Sequence, residues 1–391
     1  MMTRVKILLL LSMWISNVGE WVYFIALNMI VLRLTDSPFA VSILYMLTPM
    51  AALMTNSWAG TLIDRIDTKK ILVFLNISRA IFVLLLSTTA NLPLIYGISF
   101  ILQMQNAFFT TASFVYMTHL IPPSEQQRFN AWKNFVQSSG FILGPSIAGL
   151  LFLTGIPQLA IVVNAIALII SAVVLCRLPK GKGEHAIYEK VTIQVIFQDW
   201  KSVFHYTKAN WFVGSIYSLV SLMIVCMTAL DSIEAAFAQT EVGLTEPKYG
   251  LLVSMAGVGF IVGSLINAKW TCSPRLSMKY GAIFIAIGYL TYAGSRQFST
   301  AAIGFFILTF AHCYVNIGFL TYIQRAVPTA LLGRFTSSFS FLESVGALLL
   351  VLVFGAAAEQ VGLRPVVLMG SIVLLGIGIW LAMLVSRTAG E

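Results

Sequence analysis

Twelve long apolar stretches follow one another along this chain with only short polar turns between most of them. They fall near residues 7–32, 39–60, 71–90, 94–118, 129–153, 157–178, 211–238, 248–270, 279–296, 299–324, 335–358 and 363–386. A helix needs about 20 apolar residues to cross the hydrocarbon core of a bilayer. In lipid the backbone must satisfy its own hydrogen bonds, which leaves helices or closed barrels, and runs of this length are helices. The chain is 58% hydrophobic and 10% charged, whereas a soluble domain is about 25% charged. Water-soluble classes are therefore excluded. Met1 to Lys6 leads directly into a span containing Glu20 with no small-residue cleavage site, so the first span is expected to be kept.

The net charge of +9 follows the topology rather than a nucleic-acid footprint. With twelve spans both termini lie on one side. Of the 24 Lys and Arg residues, only Arg33, Lys248, Arg296 and Arg364 fall on the other side. Arg79 and Lys133 fall inside spans, and the rest accompany the termini. Basic loops stay cytoplasmic, so both termini are expected inside a cell (plasma or inner) membrane. Cys176, Cys226, Cys272 and Cys313 are scattered with no metal-like spacing and are expected to be small packing residues.

The chain divides near its middle. Pro179 to Lys190 reads as a polar linker. Ile193, Ile196, Phe197, Trp200, Val203 and Phe204 then recur at helical spacing, with Gln194, Gln198, Asp199, Lys201 and His205 on the other face. This pattern predicts an amphipathic helix on the cytoplasmic leaflet. The predicted domains are a six-helix bundle over 1–178, a linker with this helix over 179–210, and a second six-helix bundle over 211–391. A shift of 206 residues brings Pro122, Arg128, Phe129, Gly140 and Gly149 onto Pro328, Arg334, Phe335, Gly346 and Gly355, as parallel repeats would.

One turn is unusually polar for its surroundings: Gly60-Thr61-Leu62-Ile63-Asp64-Arg65-Ile66-Asp67-Thr68-Lys69-Lys70-Ile71-Leu72. Gly60 allows two helix ends to approach, and Asp64 can face the positive end of a neighbouring helix. Lys69 and Lys70 fix the turn on the cytoplasmic side. The stretch resembles the loop between spans two and three of the major facilitator superfamily, Gly-x-Leu-x-Asp-Arg-x-Gly-x-Lys/Arg-Lys/Arg. Asp67 stands where that family usually has Gly. The resemblance implies the major facilitator fold, an all-α polytopic membrane protein of twelve transmembrane helices in two six-helix bundles with a central cavity. It also implies that Asp64 faces the start of span eleven, near Arg334 and Phe335, when a cytoplasmic gate closes.

A second motif, Gly140-Phe141-Ile142-Leu143-Gly144-Pro145-Ser146-Ile147-Ala148-Gly149, resembles the fifth-span Gly-x-x-x-Gly-Pro-x-x-Gly-Gly of the family's proton-linked exporters. Gly140, Gly144 and Ala148 share a helical face that permits close backbone contact, and Pro145 removes a backbone bond and bends the helix. Asn17-Val18-Gly19-Glu20-Trp21 with Ala26-Leu27 is similar to the twelve-span macrolide- and multidrug-efflux branch, in which drug is exchanged for protons. The likeness covers most of the first half and thins after the linker. Many drug exporters carry an Arg in span four. Here Leu102-Gln103-Met104-Gln105-Asn106 occupies that region, and Arg79 of span three is a substitute candidate.

Ionisable residues inside a membrane are costly and are functional candidates by default. They are Glu20 near the middle of span one, Arg79, Glu343, and Asp231 with Glu234 in the outer part of span seven. The last two are three apart, hence on one helical face. Arg79 can instead form a structural ion pair with an acid. Trp14, Trp21, Tyr23, Phe24, Met46, Met50 and Met54 can line an adaptable apolar cavity. No phosphate-binding Gly-x-x-x-x-Gly-Lys-Ser/Thr loop occurs, so an ion or substrate gradient must supply the energy. A membrane enzyme or receptor would need a nucleophile–His–acid cluster or a sizeable soluble domain, and neither is seen. The reading is a monomeric secondary transporter and not an enzyme, without cofactor, metal or nucleic-acid partner. It exports amphiphilic small molecules against protons by alternating access. The alternative is an exporter of one endogenous metabolite, such as a siderophore, peptide antibiotic or lipid.

Overall fold

A computed structural model describes residues 2–35, 38–152, 158–179 and 193–387. The described chain is helical, without a strand. Its elements are α1 (Met2–Thr35), α2 (Pro38–Asn56), α3 (Ala59–Ile63), α4 (Thr68–Thr88), α5 (Leu92–Leu120), α6 (Gln126–Phe152), α7 (Gln158–Cys176) and α8 (Ile193–Ala209). There follow α9 (Trp211–Ser232), α10 (Glu234–Thr240), α11 (Glu246–Lys269), α12 (Pro274–Ala293), α13 (Phe298–Ala326), α14 (Thr329–Val361) and α15 (Leu363–Arg387). Among the described residues, nine helices are long and apolar enough to cross a membrane, and α2 adds the shorter apolar run Ile43–Asn56.

The 206-residue shift extends to whole helices. α5 and α13 are both 29 residues long, and Leu92 maps to Phe298. α4 and α12 begin at positions with the same offset, Thr68 and Pro274. Their caps also correspond: Asp67 accepts from the N–H groups of Lys69 and Lys70, and Ser273 accepts from that of Leu276. Asp67, the departure from the family pattern, thus satisfies orphan donors at the start of α4.

Two spans break where the sequence predicts continuity. Span two ends at Asn56, and α3 is a separate turn. Span seven ends at Ser232, and α10 starts at Glu234. The same device acts at both. The hydroxyl of Ser57 bonds the carbonyl of Met54, and that of Ser232 bonds the carbonyl of Ala229. The next N–H, from Trp58 or Ile233, then takes a carbonyl three residues back, a tighter turn than the α-helix. Asp231 and Glu234 therefore do not share one uninterrupted helical face.

The residues pack into two compact units. The first comprises Met1–Pro122, Val136–Phe204 and Pro328–Phe341, and the second Pro123–Phe135, His205–Val327 and Leu342–Glu391. The helices α6, α8 and α14 are each divided between them. In the first unit, α1, α2, α4, α5 and α7 enclose a core that includes Val22, Leu44, Val83, Ile98, Ile161 and Leu168. A buried polar trio ties three of these helices. The Ser12 and Ser171 hydroxyls lie 2.8 Å apart, and Asn76 donates to Ser171 Oγ at 2.9 Å. In the second unit small residues set the crossings. A Cβ on Gly288 would lie 2.6 Å from the Leu308 nitrogen, and one on Gly304 2.9 Å from the Gly288 oxygen. Close backbone approach of this kind replaces the hydrophobic drive absent between helices in lipid.

The cysteines divide. Cys226 and Cys313 are buried packing residues, whereas Cys176, expected among them, is exposed at the last position of α7. Pro179 is described, but the rest of the linker, Lys180 to Lys190, lies outside the described residues.

Candidate functional site

The turn after α2 builds a charged network inside the first unit. Asp64 accepts from the backbone N–H of Gly333 and of Arg334, each at 3.0 Å, and from Arg334 Nε at 3.0 Å. These two N–H groups belong to the fifth and sixth residues of α14, past the four donors that lack intrahelical partners, and their bonds to the Asp64 carboxylate are charge-assisted. Gly60 permits the approach, since a Cβ there would lie 2.5 Å from the Gly333 oxygen and 2.7 Å from the Arg334 Cα. Only glycine fits against that backbone.

Arg334 continues the network. Its Nη1 donates to Asp199 Oδ1 at 2.9 Å, and Arg65 grips the same carboxylate with two bonds of 2.6 and 3.1 Å. Asp199 comes from α8. It is 4% exposed, although helical periodicity places it on a solvated polar face. Trp200 beside it donates Nε1 to the Ser57 carbonyl at 3.1 Å and meets Phe341 edge-on at 5.2 Å. Lys69 Nζ caps the end of α7 through the carbonyls of Cys176 and Leu178, and Lys70 is exposed. Burial raises the Asp64 carboxyl to about 6, against the opposing pull of the Arg334 and Gly333 donors. Burial pushes Asp199 the same way, but the bonds from Arg65, Thr61 and Arg334 prevail and hold it below its ordinary value.

A second charged site lies among the helices of the first unit. Arg79 Nη2 pairs with Glu20 Oε1 at 3.2 Å. Both members line one pocket, and the acid is the more exposed, with the Arg79 side chain 6% and that of Glu20 32% exposed. Glu20, Tyr23, Arg79, Gln103 and Asn164 supply the polar lining. The Arg79 guanidinium also sits 5.6 Å over the Phe109 ring, a favourable place for a cation. Gly19 brings this part of α1 against α7, since a Cβ there would come within 2.8 Å of Ala167 and Asn164 atoms. Gln103, in the region where many exporters carry an Arg, shares this pocket with Arg79. Asn164, whose Oδ1 is buried without a hydrogen-bond partner, carries no sequence signal that would have singled it out.

The span-five glycines pack α6 on α1. A Cβ on Gly144 would overlap the Trp21 Cβ, and one on Gly140 the Asn17 side chain. The surroundings of Pro145 and Gly149 lie outside the described residues. Gly144→Leu should drive α1 and α6 apart, at about 1–3 kcal/mol for overpacking, and lower transport severely. Thermal unfolding of the purified protein and efflux from cells expressing it check this. Wild-type efflux would reduce the motif to incidental packing.

The other candidates do not join either site. In the second unit Tyr289 donates to Asp231 at 2.6 Å, Tyr249 to Glu234 at 2.9 Å, and Ser221 to Glu343. Of the aromatic and methionine candidates, Tyr23 is buried in the pocket. Met46, Met50 and Met54 form an exposed stripe along α2.

Long apolar helices with charged pairs held among them mark a polytopic membrane protein. The chain belongs to the Major Facilitator Superfamily, whose pattern matches residues 9–350. It is a multi-pass membrane protein that moves a small molecule, and not an enzyme. An uncharacterized MFS-type transporter of Bacillus subtilis (strain 168) is 22% identical over 95% of this chain and 91% of its own length. A putative bacilysin exporter of Bacillus amyloliquefaciens is 22% identical over 85% of this chain and 82% of its own. Macrolide efflux protein A of Enterococcus faecalis is 25% identical over 70% and 84%. Among solved structures, the human organic anion transporter MFSD10 shares the fold with a TM-score of 0.78 at 12% identity, over 98% of this chain and 99% of that one.

Proposed function

We propose that this protein is a proton-coupled exporter of amphiphilic compounds, working by alternating access in a cell membrane with both termini cytoplasmic. The observation that carries the reading is the Glu20–Arg79 pair, whose acid is the more exposed member in a pocket lined by polar side chains. A carboxylate there can take a proton or face a cation, one at a time, and that competition is the elementary step of exchange. Protonating Glu20 leaves Arg79 buried without its counter-charge, so proton occupancy changes the stability of the local packing. The network of Asp64, Arg334, Asp199 and Arg65 serves as the cytoplasmic latch. It joins stretches 270 residues apart, so making and breaking it suits a two-state element. The halves over 1–178 and 211–391 are the moving parts in this reading, joined by 179–210. The relatives named for macrolide and bacilysin efflux support the outward direction.

Inside-out proteoliposomes with an imposed pH gradient, acid within, should accumulate a lipophilic aromatic cation such as ethidium. Accumulation that ignores the pH gradient and follows sodium would overturn the proton reading. The alternative is export of one endogenous metabolite, and the bacilysin-exporter relatives favour it specifically. A deletion strain sensitised to one compound alone, rather than to many across a broad panel, would select it.

A further inference from the structure

The helix α8 has two faces, and only one belongs to the protein interior. Asp199, Trp200 and Val203 face the first unit, with Asp199 held by Arg65 and Arg334. On the opposite side Phe197 is 73% and Phe204 72% exposed, with exposed Lys201 between them. Spacings of four and three residues place the three side chains on one stripe. The sequence assigns Phe197 and Phe204 to the same apolar face as Trp200 and Val203, but the structure separates them.

We infer that the Phe197–Lys201–Phe204 stripe docks onto the cytoplasmic leaflet through anionic lipid headgroups and the acyl region beneath, and that this docking holds Asp199 in the latch. Position is the first argument. Trp200 is bonded to Ser57 and Asp199 to Arg65, in the turn between the end of α2 at Asn56 and the start of α4 at Thr68. That turn joins two membrane spans, so α8 lies at the height where spans leave the bilayer. Chemistry is the second. Two aromatic rings flanking an ammonium match the boundary between acyl chains and negative headgroups. Coupling follows from rigidity. Within one helical segment, lipid contact at Phe197 and Phe204 restrains Asp199 and Trp200, which hold Arg65, Arg334 and Phe341. The latch is then sensitive to the lipid composition of the inner leaflet. The orientation used here is the one proposed above, but the tests below read depth and local exchange, not transport.

The full-length protein, with its four cysteines replaced by serine, is placed in nanodiscs of phosphatidylcholine with or without phosphatidylglycerol. Single spin labels are put at Phe197, Phe204, Gln198 and Ser202. Labels at 197 and 204 should be more accessible to oxygen than to a water-soluble nickel chelate, and those at 198 and 202 the reverse. Equal chelate access at all four would overturn the docking. Labels at 197 and 204 shielded from both reagents would mean that a second copy or a partner protein covers the stripe, and would also overturn it. Hydrogen exchange tests the coupling. The amides of Gly333 and Arg334, which donate to Asp64, should exchange about fivefold more slowly in anionic than in neutral nanodiscs, the effect of about one basic residue near an anionic surface. Lys201→Glu should abolish that difference. Equal exchange in the two lipids, or an undiminished difference in Lys201→Glu, would refute the coupling.

Discussion

Glu20→Gln is expected to abolish uphill, gradient-driven transport while leaving downhill exchange of substrate measurable. The change keeps the shape of the side chain and removes its charge. Arg79 then stays buried, 6% exposed, facing an amide that cannot balance it. Removing one partner of a buried pair costs about 3–5 kcal/mol, and the exposure of Glu20 places this pair at the lower end. Transport has a separate reason to fail, because Gln carries no titratable proton and exchange loses its counter-ion. Proteoliposomes with an imposed pH gradient measure the uphill rate, and preloaded vesicles without a gradient measure exchange. A tenfold or greater fall in the first with the second retained is the expected pattern. Uphill transport at the wild-type rate would remove Glu20 from coupling and turn attention to Asp231, Glu234 and Glu343. Those acids are held by Tyr289, Tyr249 and Ser221.

The second large effect is expected at Arg334. This side chain serves two acids, Asp64 at 3.0 Å and Asp199 at 2.9 Å, whose side chains are 2% and 6% exposed. Arg334→Ala leaves Asp64 its two backbone donors and Asp199 its Arg65 pair, but brings two carboxylates together with one guanidinium fewer. A loss of about 3 kcal/mol is expected, read as a lower unfolding temperature in detergent. The latch should also loosen, seen as faster exchange at Gly333. Lys in its place restores charge without the planar fork that reaches both acids, and should recover only part of the loss. Asp64→Asn added to Arg334→Ala should cost less than the sum of the single changes, because the uncompensated charge is gone. Additive losses would show that Asp64 and Arg334 do not act together.

The turn around Gly60 shows how far a sequence can be read. Its spacing marks Gly60 and Asp64 as a pair made for a close helix end, and the backbone of Gly333 and Arg334 meets them in the structure. Asp67 is a departure from a pattern until its capping bonds are seen. The burial of Asp199 is beyond the reach of the sequence for a physical reason. Periodicity assigns a polar residue on an amphipathic helix to water, and it holds no information on what packs against that face. The roles of Asn164 and Gln103 cannot be read from spacing, because an amide inside a span has no spacing rule, only neighbours.

Composition and the length of the apolar runs specify a helical membrane protein and the repeat relating its halves, but not the breaks after Asn56 and Ser232. Lipid leaves the backbone only helices or closed barrels, and apolar runs of about 20 residues select helices, so local composition is enough. Which charges meet is set by the fold. Glu20 with Arg79, and Asp64 and Asp199 with Arg334, are contacts between residues distant in the chain. In a low-dielectric interior a charge is stabilised by the few atoms around it, and those atoms are supplied by folding.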